Sequence, residues 1–190
     1  MPLAALGSRI CITGPSNSGK STLAHAIGAA RDLPVVHLDR LHHRPHTDWK
    51  PRPAAEFLAL HDAAIGAERW VMDGNYSRCL PQRLARATGV ILLDVPTLTS
   101  LMRYLARCWS AGDRIGGLEG GRDSVKWAML HHITVTTRGN RRRYRAIADT
   151  TDLPVLRLAS PRAITGFYRA AGLRRPPRVD RRAASPQAGI

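Results

Sequence analysis

The stretch GPSNSGKST, Gly14 to Thr22, fits the pattern G-x-x-x-x-G-K-[ST] at Gly14, Gly19, Lys20 and Ser21. Glycines at these two places let a backbone wrap tightly enough to aim successive N–H groups at phosphate oxygens. Lys20 adds a mobile point charge for the outer phosphates, and Ser21 a hydroxyl placed to ligate Mg²⁺. Gly14, Pro15, Ser16, Asn17, Ser18, Gly19, Lys20, Ser21 and Thr22 are therefore expected to hold a nucleoside triphosphate, with ATP and Mg²⁺ as the implied pair.

The surroundings of the loop agree with this. RICIT, residues 9–13, is short, β-branched and apolar, as a buried strand is, and residues 22–31 have helical spacing, so the helix dipole adds to the anion site. Further strands are expected at 34–38, 70–72, 90–93 and 153–158. Helices are expected after Pro53, after Thr97 (which caps), over about 124–148 with an interruption near Gly139, and over 161–171. Apolar strands alternating with helices mean a parallel sheet covered on both faces. Asp39, Asp73 and Asp94 each follow a predicted strand, and in such sheets ligands bind at the carboxyl ends of strands, so these aspartates converge on the glycine loop.

The chain has 190 residues, enough for one domain with a substantial core. No apolar run reaches the ~20 residues of a membrane helix, and MPLAALGSR does not read as a secretory leader. Cys11, Cys79 and Cys108 are odd in number and widely spaced, which excludes a disulfide framework or a CxxC zinc site and leaves a reducing, cytoplasmic location as the expectation. The net charge of +15 comes from arginine, Lys20, Lys50 and Lys126 being the lysines. Two readings of it stand: arginines lining a site for phosphates or nucleic acid, or the solvated surface of an Ala-, Arg- and Pro-rich composition.

Several segments together resemble the nucleoside-monophosphate-kinase branch of P-loop proteins, and within it the small adenylate-kinase-like ATPases labelled DNA topology modulation proteins. The marks are HLDRLHHRP at 37–45, WVMDGNY at 70–76 and RGNRRRYR at 138–145, and the likeness runs to about Gly172. The resemblance implies a three-layer α/β fold with a five-stranded parallel sheet in the order 2-3-1-4-5. It implies one kinase-like domain over 1–173 with a short lid at about 111–122; residues 174–190, polar and Pro-rich, are expected to be a disordered basic tail.

The resemblance also implies roles. Asp73, in an Asp-Gly step, would help Ser21 hold Mg²⁺ and its waters. Arg78 stands in a segment similar to Arg-x-x-Pro-Gln, where Arg meets the acceptor and the residue matching Gln82 reads its base. Here Asn75-Tyr76-Ser77 shifts that segment by one position. Arg103 and Arg107 follow Asp94 at the spacing of phosphate-binding arginines. The chemistry supports them independently: phosphoryl transfer needs cations around the equatorial oxygens, and residues four apart share a helix face. The cluster Arg138, Arg141, Arg142, Arg143 and Arg145 is expected as a whole to meet phosphates, with Arg138 and Arg142 taken as substrate-side contacts.

Asp39 is expected either to act as general base toward a hydroxyl acceptor, to lie behind the metal's waters, or to cap the following turn. His37, His42, His43 and His46 invite a metal reading, but the group lacks cysteine and resembles the normal loop of the subgroup, so substrate contact is expected instead. Trp49 and Tyr76 flank the same cleft and are open to packing or to stacking on a substrate.

Two functions compete. One is a Mg²⁺-dependent kinase moving the ATP γ-phosphoryl group to an unidentified small-molecule or nucleotide acceptor, with Lys20, Arg103, Arg107 and Asp39 carrying the reaction and Asp39, Asn75, Tyr76, Arg78, Arg138 and Arg142 holding the acceptor. The other is a nucleic-acid-associated ATPase using non-specific basic contacts through the arm at 138–145 and the tail. Neither involves a membrane.

Overall fold

The computed structural model describes residues 1–47, 49–109 and 137–176, with the backbone alone at 107–109 and 137–139. Its elements in chain order are a 3₁₀ turn Leu3–Leu6, β1 Arg9–Thr13, α1 Lys20–Arg31, β2 Val35–His37, the short α2 Leu38–His42, α3 Ala54–Gly66 and β3 Trp70–Asp73. A 3₁₀ turn Ser77–Cys79 leads into α4 Leu80–Arg86, followed by β4 Gly89–Leu93, α5 Thr97–Trp109, α6 Thr137–Thr150, β5 Val155–Leu158 and α7 Pro161–Ala170.

All four strand pairings are parallel, and the order is β2-β3-β1-β4-β5. Side chains alternate across a strand, and here the alternation divides the core in two. Ile10, Ile12, Val71, Ile91 and Leu93 face α1 and α7, meeting Leu23, Ile27, Ile164 and Phe167. Cys11, Trp70, Met72 and Val90 face the other way, against Leu38, Ile65 and Ala87, while Leu92 meets Leu80, Tyr144 and Ala148. Strands apolar on both faces thus make the middle layer of three.

Two features depart from the expectations. β2 stops at His37, and Leu38 opens α2, so Asp39 sits in the first turn of that helix instead of at a strand end. Leu38 is fully buried, and its side chain packs beneath Gly74, which has room for no Cβ (one would lie 2.7 Å from Leu38 Cβ). The described part of α6 begins at Thr137, so the interruption expected near Gly139 falls at the edge of the described residues. The helix α4 went unforeseen; its Pro81 stands in the first turn, where its missing N–H has no intrahelical partner to lose.

The expected lid at 111–122 and the predicted helical stretch at 124–136 lie outside the described residues, as does the tail from 177 on. Among the described residues no helix is long and apolar enough to cross a membrane.

Candidate active site

The glycine loop joins β1 to α1 at the carboxyl edge of the sheet. Gly14 has φ +143, and a Cβ there would stand 2.2 Å from the Leu93 carbonyl oxygen, so only glycine lets the loop lie against β4. Lys20 is the first residue of α1, and its N-cap Gly19, at φ 99, offers no side-chain cap. The first N–H groups of a helix have no intrahelical acceptor, and there is no acidic residue in this first turn. The buried hydroxyl of Ser18 has no hydrogen-bond partner among the described residues. Donors left open at a helix N-terminus beside a lysine are what a polyphosphate requires.

Lys20 Nζ donates to the carbonyl oxygens of Gly14 at 2.9 Å and Pro15 at 2.8 Å, which folds its charge over the loop. Ser21 Oγ donates to Asp73 Oδ2 at 2.6 Å. The second oxygen of Asp73 meets His37 Nδ1. Burial alone would push the Asp73 carboxyl up, but hydrogen bonds from His37 and Ser21, with the charges of His37 and Lys20, hold it below the ordinary range. An ionised carboxylate and a hydroxyl, both hard oxygen donors, fit Mg²⁺, which keeps several waters and needs few protein ligands. No group of three or more His, Cys, Asp or Glu suited to a metal occurs among the described residues.

The far wall is formed by α2 and the turn after β3. Tyr76 hydroxyl donates to Asp39 Oδ1 at 2.9 Å, which brings these two sequence candidates together. His42 packs on both Tyr76 and Phe57, with ring centroids 4.7 Å and 5.0 Å away, and Trp49 packs edge-on against His43 at 5.2 Å. Burial, with the neighbouring His43 charge, pulls the His42 pKa down, against Asp39, so this wall favours a neutral ring. Arg78 is exposed on the 3₁₀ turn.

On the β4 side, Arg103 Nη1 donates to the Ser18 carbonyl at 2.7 Å, so this arginine lies over the loop. Burial, then the like charge of Arg175, lowers its pKa, and it remains a strong cation. The side chains of Arg107 and Arg138 lie outside the described residues. Arg142 and Arg143 are exposed on α6.

Two other members of the arginine cluster reach Asp94: Arg141 Nε meets Asp94 Oδ1 at 2.8 Å, and Arg145 Nε, from an exposed side chain, meets Asp94 Oδ2 at 2.6 Å. Arg141, Tyr144, Asn75 and Asp94 line a cavity with Gly14 and Ser16 of the loop. The signal for them was the tyrosine: Tyr144 is buried and marks the inner face of α6, and residues three before and one after it flank that face.

No family model matches the chain, and no curated protein matches its sequence. Among solved structures it is similar to a gluconokinase from Sinorhizobium meliloti 1021 at 14% identity and TM-score 0.55, over 87% of this chain and 90% of that one. It is also similar to a sugar kinase from Janibacter sp. HTCC2649 at 17% identity and TM-score 0.52, over 86% and 91%. The chain therefore has a P-loop kinase fold: a five-stranded parallel sheet in the order 2-3-1-4-5, with the glycine loop between its central strand and the first helix.

Proposed function

We propose that this protein is a kinase that transfers the γ-phosphoryl group of ATP to a hydroxyl-bearing small molecule or nucleotide. The observation that carries the reading is the meeting of Ser21 and Asp73 at the open N-terminus of α1, with Lys20 beside them. A loop that only bound phosphate would not need an ionised carboxylate there; a loop that binds a metal–triphosphate would. Both structural relatives are kinases of small molecules by name.

In this reading the triphosphate lies along the loop, taken by the N–H groups of Ser16 to Thr22 and by Lys20 once it leaves the loop carbonyls. Mg²⁺, held by Ser21 and through water by Asp73, neutralises charge on the outer phosphates when bound. Arg103 and Arg141 approach the loop from two sides and offer guanidinium forks to the equatorial oxygens. The acceptor sits between the loop and α2. Its hydroxyl oxygen forms the new bond to the γ-phosphorus as the bond to the β,γ-bridging oxygen breaks, ADP leaves, and the hydroxyl proton passes to Asp39. The Tyr76 hydroxyl on Asp39 Oδ1 holds that carboxylate in place. Positioning and charge stabilisation account for the rate. Arg78, Arg107, Arg138 and Arg142 belong to the same reading as contacts to phosphate or acceptor.

The nucleic-acid reading gains no comparable observation. It rests on net charge, and two of the arginines of α6 are engaged on Asp94. Kinase and ATPase separate by acceptor dependence. A panel of nucleoside monophosphates, nucleosides and small hydroxy acids is screened for acceptor-stimulated ADP release with Mg²⁺ and ATP. Stimulation by one class is expected; ADP release indifferent to every acceptor would refute the kinase.

A further inference from the structure

Asn75 stands in the turn that leaves β3, and both ends of its side-chain amide are used on one residue of the loop. Nδ2 donates to the Gly14 carbonyl at 2.7 Å, and the Gly14 N–H donates to Oδ1 at 3.2 Å. A primary amide can donate and accept side by side in one plane, so a single side chain satisfies both backbone groups of the loop's first glycine. Gly14 itself has no side chain by which to be held.

The turn that carries Asn75 is fixed in its own right. The Tyr144 hydroxyl, from α6, donates to the Asn75 carbonyl. Arg83 Nη2, from α4, donates to the Gly74 carbonyl at 3.2 Å. Arg83 is 1% exposed, and its Nε and Nη1 have no hydrogen-bond partner among the described residues. A buried guanidinium so poorly partnered is costly, and the hydrogen bond from its Nη2 goes to this turn.

The geometry points to Asn75 as a positioning residue for the phosphate loop, and to Tyr144 as the contact through which α6 sets Asn75. This assigns Asn75 to the ATP side of the site, away from the acceptor. The inference rests on the reading that the loop binds ATP. It adds a physical link between the arginine-bearing helix and the loop: a shift of α6 moves Tyr144, the turn, the amide and Gly14 in sequence.

The test uses Asn75→Ala, Tyr144→Phe and the double variant, in the full chain without acceptor. Asn75→Ala is expected to weaken Mg²⁺–ATP binding about tenfold by calorimetry, and Tyr144→Phe about threefold. The double variant should be no weaker than Asn75→Ala, because Tyr144 acts on the loop through that amide. In the nucleotide-free protein, Asn75→Ala should speed amide exchange of Gly14, measured by NMR, by about tenfold. Additive losses in the double variant, unchanged Gly14 exchange, or unchanged Mg²⁺–ATP affinity in Asn75→Ala would overturn the inference. Should the wild type bind no ATP, the kinase reading fails while Gly14 exchange still decides the clamp.

Discussion

Ser21 Oγ and Asp73 Oδ2 lie 2.6 Å apart, which joins the first turn of α1 to the end of β3. Neither residue is close to the other in sequence, and the parallel register that sets Ile12 beside Asp73 brings them to one edge. Asp73→Asn keeps the shape and the ability to accept from Ser21 but removes the charge. We expect the Mg²⁺ concentration needed for half-maximal ATP binding to rise about 10–100-fold, with little change in metal-free nucleotide binding. Calorimetry at several Mg²⁺ concentrations measures both; an unchanged Mg²⁺ requirement would remove Asp73 from the metal's surroundings.

Arg141 and Arg142 are neighbours with opposite surroundings. Arg141 lines the cavity beside the loop and bonds Asp94, while Arg142 is exposed. Arg141→Gln is expected to lower kcat about 100-fold, the size of loss seen when a preorganised donor at a developing charge is removed. Arg142→Gln should stay within about threefold in kcat, as an exposed substitution away from such features does. Steady-state kinetics with the acceptor found by the panel decide it. Equal losses would mean that the whole arginine face, and not its inner side, meets phosphate.

The thiols of Cys11 and Cys79 are fully buried. Burial pushes Cys11 up to about 11, against the nearby Arg83 charge, and Cys79 is raised in the same way. Because the thiolate is the reactive form, neither should be alkylated by iodoacetamide in the folded protein at pH 7.5, and both should be alkylated in urea. Peptide mass spectrometry reads each site separately. Labelling of Cys11 in the native state faster than unfolding would contradict the packing around Arg83.

Much of this architecture was legible in the sequence because each element answered to a local rule. The loop motif between an apolar strand and a helical pattern fixed β1 and α1, and strands apolar on both faces implied the covered parallel sheet. What was not legible depended on tertiary placement. Asp39 reads as a strand end until Leu38 is seen beneath Gly74, which turns the chain into α2. Asn75 and Tyr76 read as a pair, yet successive side chains there diverge, one to Gly14 and the other to Asp39. Arg138 and Arg142 are four apart, and so are Arg141 and Arg145. Spacing alone cannot choose between two such faces; the burial of Tyr144 does.

Burial also makes a measurable difference at His61. Its side chain on α3 is fully buried, and Nε2 has no hydrogen-bond partner among the described residues. Burial lowers its pKa; the exposed Asp62, 3.1 Å from Nδ1, pulls the other way, and the Arg83 charge lowers it further. A histidine whose folded pKa lies below its unfolded value of about 6.5 takes up a proton more readily when unfolded. Its contribution to stability is therefore complete above about pH 6.5 and is lost as pH falls from there toward the folded value. The urea midpoint should drop between pH 7.5 and pH 5.5, and His61→Gln, whatever it does to stability at pH 7.5, should reduce that drop. The half-buried His42, lowered for the same first reason, leaves part of the drop in place. Equal drops in wild type and His61→Gln would mean that this ring is already protonated in the fold, or reaches water when the pH falls.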